Sequence, residues 1–123
     1  MEKYNKKEIP LIYSCSGCSN VAQLANAIAV KANTEGIAEM SCIAGVGGKV
    51  KCLVKKAQSR TSIIVIDGCV LQCAKECLKG INIEPTEHIV LTDYNFKKKY
   101  DSQLNLEEEI QVFNDIAEKI KKL

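Results

Sequence analysis

Two kinds of apolar segment alternate along this chain. Runs of five residues that are apolar almost throughout occur at 9–13 (IPLIY), 62–66 (SIIVI) and 88–92 (HIVLT). Their length and β-branched content suit strands buried on both faces, as in a parallel sheet. A weaker run at 38–42 (AEMSC) predicts one more strand. Between these runs the spacing changes to that of helices. Val21, Leu24, Ala25, Ile28, Ala29 and Ala32 predict a helix that Ser19 or Asn20 caps and Asn33 and Gly36 end. Val50, Leu53, Val54 and Ala57 predict a core-facing stripe on a second helix over 49–58, after a Gly-rich loop at 44–48. A third helix spans 71–79 and stops at Gly80. In the last, over 106–122, the stripe is Leu106, Ile110, Phe113, Ala117 and Ile120. Glu107, Glu108 and Glu109 sit in its first turn and Lys119, Lys121 and Lys122 in its last, as the helix dipole favours. Polar residues 93–105 predict a loop with at most one helical turn.

This β-α-β-α-β-α-β-α alternation predicts a three-layer α/β fold of the Rossmann-like or flavodoxin-like kind. It would be a four-stranded parallel sheet, order 2-1-3-4, with helices on both faces. The 123 residues make one domain of ordinary size, 1–123, that can bury roughly 70% of its unfolded surface. Neither disulfides nor a metal are needed merely to own a core. The 17 Lys and Arg against 15 Asp and Glu leave a charge of +2, which gives no general attraction to nucleic acid or membrane. Lys3, Lys6 and Lys7, and Lys97, Lys98 and Lys99, read as solvated surface. With no Trp and few aromatics, a base-stacking platform is not expected. No apolar run approaches the ~20 residues of a membrane helix, and the start lacks a signal-peptide pattern. The expected compartment is the cytoplasm, where thiols stay reduced. Seven cysteines, an odd number, do not form a simple closed disulfide framework.

Ligands of open α/β sheets bind beyond the carboxyl ends of the strands, where strand order reverses. Five cysteines fall at that rim. Cys15 and Cys18 follow the first strand, Cys42 ends the second, Cys69 follows the third, and Cys73 lies in the helix after it. Cys15-Ser16-Gly17-Cys18 has the C-x-x-C spacing of zinc sites and redox dithiols. Cys69 and Cys73, four apart, would share one side if the turn between them is helical. Helix N-termini beside these thiols supply partial positive charge and free N–H donors. The pattern points to a soft metal, zinc first. The Gly-rich loop lacks the Walker spacing and reads as close backbone approach, with anion binding the lesser alternative. Cys52 lies mid-helix and Cys77 a turn beyond Cys73, so both are set outside the site. His88, the only histidine, begins the fourth strand at the end opposite the rim and is set aside as a ligand. Asp67 either orients its turn or accepts a hydrogen bond behind the ligands.

The segments CSGCSNVAQLAN, AEMSCIAGVGG, IDGC-x-x-x-C and HIVLTDYNFKKKY, in that order and spacing, resemble the DGC-domain family of zinc-binding proteins of bacteria and archaea. The resemblance runs from about Leu11 to Tyr100. Its Asp-Gly-Cys is Asp67-Gly68-Cys69; Val70 stands where a proline is expected. The resemblance implies zinc on Cys15, Cys18, Cys69 and Cys73, with Cys42 as a fifth thiolate or substitute, and implies no activity. A metal sensor or carrier is therefore the leading expectation. The rivals are a thiol–disulfide or zinc-dependent enzyme, an iron–sulfur protein on the same cysteines, and a structural zinc in a partner-binding domain.

Overall fold

The structure is a computed structural model that describes residues 9–94, 96–100 and 105–123. Lys3, Lys6 and Lys7 lie outside the described residues. The elements in chain order are β1 (Leu11–Ser14), α1 (Asn20–Thr34), β2 (Glu39–Met40), α2 (Ile43–Gly47), α3 (Lys51–Gln58), β3 (Ile63–Asp67), α4 (Cys73–Lys79), β4 (Glu87–Val90), a 3₁₀ turn (Leu91–Tyr94) and α5 (Leu106–Lys121). The four strands form one parallel sheet in the order β2-β1-β3-β4, as the alternation predicts. Strands β1 and β3 are central and buried along their whole length.

The crossovers settle the layers. The step from β1 to β2 runs one way along the sheet, while β2 to β3 and β3 to β4 run the other way. Right-handed connections then place α1 on one face and α2, α3 and α4 on the other. The packing agrees: α5 lies against α1, and α2 lies against α4. The core fills the space on both sides of the sheet, with Tyr13, Leu11, Ile12, Ile28, Ile64, Ile66 and Leu78 fully buried.

Three expectations change. Residues 44–48 are not a loop: Ile43–Gly47 is a short helix that Cys42 caps, its Sγ accepting from the Gly45 N–H at 3.3 Å. The helix expected over 49–58 begins at Lys51, and of its predicted core stripe only Ala57 is buried. The cause is its seat: α3 packs on α2, with Leu53 against Gly45, rather than on the sheet. In α5 the covered face is Val112, Phe113, Ile116, Ala117 and Ile120, while Leu106 and Ile110 are exposed. Among the described residues no helix is long and apolar enough to cross a membrane.

Candidate functional site

Strand order reverses between β1 and β3, and the carboxyl ends of these two strands carry the site. Cys15 continues the ladder beyond β1, its N–H donating to the Ile66 carbonyl at 3.1 Å. Its side chain is buried, and its Sγ accepts from the Gly68 N–H at 3.2 Å. Gly17 then takes φ 143°, a conformation open to glycine, and turns the chain toward α1. The Gln23 side-chain amide holds that turn by donating to the Gly17 carbonyl at 2.7 Å. Ser19 caps α1 through the Ala22 N–H. Cys18, between turn and cap, is exposed.

On the β3 side Gly68 is required by contact. A Cβ there would stand 2.8 Å from the Val21 carbonyl carbon and 2.9 Å from the Ala22 nitrogen, so only glycine lets α1 begin this close to the strand exit. Cys69 follows, half-buried. Gln72 adopts φ 54°, φ above zero in a residue with a side chain, the kind of strain that clusters at functional sites. Cys73 is the first residue of α4 and exposed.

Asp67 holds this end of α4. Its carboxylate is buried and accepts from the Ala74 N–H at 2.8 Å and the Lys75 N–H at 3.2 Å. The third partner is His88, whose Nε2 lies 2.8 Å from Asp67 Oδ2. This corrects the placement of His88 at the far end. In the β3–β4 register His88 pairs with Val65, two residues before Asp67 on the same pleat face, so the imidazole reaches the carboxylate.

A fourth segment closes the site. Asn20, the first residue of α1, bonds the returning chain three times: its Nδ2 donates to the Lys97 carbonyl (2.8 Å), its Oδ1 accepts from the Lys99 N–H (2.6 Å), and its N–H donates to the Lys99 carbonyl (2.8 Å). Lys98 is thereby brought to 3.4 Å from Cys69 Sγ, with Tyr100 beside it. Reading Lys98 as merely solvated missed this contact. No local signal marks it, because Asn20 and Lys98 are far apart in sequence.

Cys15, Cys18, Cys69 and Cys73 all line one cavity of about 170 Å³, together with Asp67 and Lys98. Cys42 is not among its lining residues and sits exposed at the α2 cap. Cys52 is exposed on α3, and Cys77 is half-buried with its sulfur facing Gly47 of α2. Burial pushes the Cys15 thiol up and the Asp67 charge adds to this, while the Gly68 N–H pulls it back. Burial likewise raises Cys77. Lys98 is held above the ordinary lysine value, first by the Tyr100 hydroxyl and then by the Cys69 sulfur. The donor set suits a soft cation: four thiols, a backbone N–H on one sulfur and an ammonium on another. The sulfurs surround the cavity rather than converge. Among the described residues no three Cys, His, Asp or Glu side chains form a ready-made metal-holding group.

The family model described as DGC domain matches residues 11–116. The "Anaerobic and virulence modulator AnvM" of Pseudomonas aeruginosa is 45% identical over 108 residues, which cover 88% of this chain and 82% of that protein. No solved structure matches.

Proposed function

The chain belongs to the DGC domain family, and on that premise we propose that its four-cysteine cavity is a soft-metal site, with zinc as the ion, serving a sensing or carrying role. One observation carries the reading: cysteines from two strand exits and the first residue of α4 line a single cavity at the switch point of the sheet. When bound, zinc would supply a thiolate centre that is either closed or open at one position. The chain's own residues would do the rest. Cys15 is the buried thiol, steadied by the Gly68 N–H. Lys98 balances negative charge at Cys69. Asp67, held by His88, orients the start of α4 and with it Cys73. A regulatory rather than metabolic role follows the relative's name, a modulator.

A second reading is thiol–disulfide exchange in the same cavity. It draws on the sulfurs surrounding the cavity without three of them converging. Anaerobic purification followed by metal analysis separates the two. The metal reading expects about one zinc per chain, loss of stoichiometric metal in Cys15→Ser and in Cys69→Ser, and retention in Cys52→Ser. A metal-free protein whose thiols oxidise reversibly as a pair would replace it with the redox reading. Equal metal content in all three variants would remove the site from this cavity.

A further inference from the structure

Helix α3 carries apolar residues that the fold does not cover. Its sequence pattern calls for Val50, Leu53, Val54 and Ala57 to be buried, yet only Ala57 is; Val50 is exposed and Leu53 and Val54 are half-buried. Beside Val54 a cavity of about 280 Å³ opens between α3 and the turn after α4, lined by Lys49, Lys51, Val54, Lys55, Gln58 and Ile81. Its floor is aliphatic and its rim holds three lysines and no acidic residue. Lys56, the other lysine of α3, is taken by Glu39. Among the described residues Lys49, Lys51 and Lys55 form no ion pair.

We propose that this groove docks an acidic amphipathic segment of another protein, with aliphatic side chains seated on Val54 and Ile81 and carboxylates answering Lys49, Lys51 and Lys55. An apolar floor under a single-sign rim is the arrangement that receives such a segment, the floor contributing affinity and the rim register and rate. The alternatives fit less well. Nucleic acid calls for a longer basic track or aromatic faces for the bases, and this groove has neither. A second copy meeting face to face would set lysines against lysines. The chain's own acidic run, Glu107 to Glu109, starts α5, which packs with α1 on the other face of the sheet, so the same molecule cannot fill the groove. The inference stands apart from the metal reading, since none of the cavity cysteines lies in this groove.

The test uses the full chain, labelled with ¹⁵N, and a synthetic helix-forming peptide of leucine and glutamate with leucines at i and i+4. Saturable amide shifts confined to α3, Lys49 and Ile81 are expected. Lys51→Glu with Lys55→Glu should weaken binding at least tenfold. Val54→Ser, which keeps every charge, should weaken it severalfold, and a glutamate peptide without leucines should bind no better than that variant does. Raising salt from about 50 to 500 mM should reduce the affinity without abolishing it. Shifts scattered over other faces, no saturable binding, or tighter binding of a short DNA duplex than of the peptide would overturn the proposal. So would a Val54→Ser variant with unchanged affinity and a folded spectrum.

Discussion

Helices α1 and α3 are written in the same code and meet different fates. Both have apolar residues at helical spacing, but α1 follows the end of β1 while α3 follows the short helix α2. In α1 seven of these residues are buried, from Val21 to Ala32, against β1, β2 and β3. In α3 a single alanine is buried, and the helix rests on α2. A hydrophobic stripe states what must be covered to be stable; it does not say that the same chain provides the cover. α1 is a wall of the core and of the thiol cavity. α3 is tied on from the side, through Leu53 and an ion network, and offers its remaining apolar surface outward.

The largest expected effect tests that contrast directly. Ile28→Ala, in the fully buried face of α1, should cost about 2–5 kcal/mol of unfolding free energy. Val54→Ala should cost only about 0.5–1 kcal/mol, because its side chain is already half in water. Urea titrations followed by circular dichroism would measure both. Equal costs would mean that α3 is as much a core helix as α1, and the surface reading of its stripe would fall.

Gly68→Ala probes how closely α1 is drawn to the thiol cavity. Its methyl would enter the backbone of Val21 and Ala22, which cannot swing aside as a long side chain does. A loss of about 1–3 kcal/mol is expected, with altered labelling of Cys15 and Cys69 by a thiol reagent as the first turn of α1 retreats. An unchanged midpoint and unchanged labelling would show that the approach is looser than these distances say.

Much of this was legible in the chain, for reasons that can be named. Apolar runs bounded by turn residues marked the strands, and parallel crossovers left few ways to order them. Because Cys15, Cys18 and Cys69 lie close behind strand ends and Cys73 opens the helix after β3, strand order put them around one cavity. What escaped depends on register or on distant returns of the chain. His88 reaches Asp67 only because β4 is aligned with β3 so that His88 pairs with Val65. Lys98 reaches Cys69 only because Asn20 captures the backbone of residues 97 and 99. Cys42 does not end its strand as expected: β2, the edge strand, stops at Met40, and the Cys42 sulfur caps α2, outside the cavity lining. The uncovered stripe of α3 could not be foreseen either, since glycines at 45, 47 and 48 read as a loop and concealed the short helix on which α3 sits.

The smallest expected effect concerns the ions that tie α3 to the sheet. Glu39 of β2 binds Lys56 of α3 at 2.5 Å and also Arg60, just beyond the end of α3. Burial pushes the Glu39 carboxyl up, but the bonds to Lys56 and Arg60 outweigh it and the net shift is down. A carboxyl lowered in the folded state binds fewer protons folded than unfolded. Its stabilisation is therefore complete above the unfolded value, roughly pH 4.3, and is lost as pH falls through the folded value. For a partly exposed network the amount is about 0.5–1 kcal/mol. Glu39→Gln should be less stable than the parent by this amount at neutral pH, and the two unfolding curves should converge as the solution is acidified below roughly pH 4. High salt should narrow the neutral-pH gap. Ile28→Ala should show neither convergence nor salt dependence, since apolar burial has no proton to exchange. If the Glu39→Gln gap instead stayed constant down to low pH, then α3 would be held by packing like α1, and the contrast between the two helices would narrow to one of exposure alone.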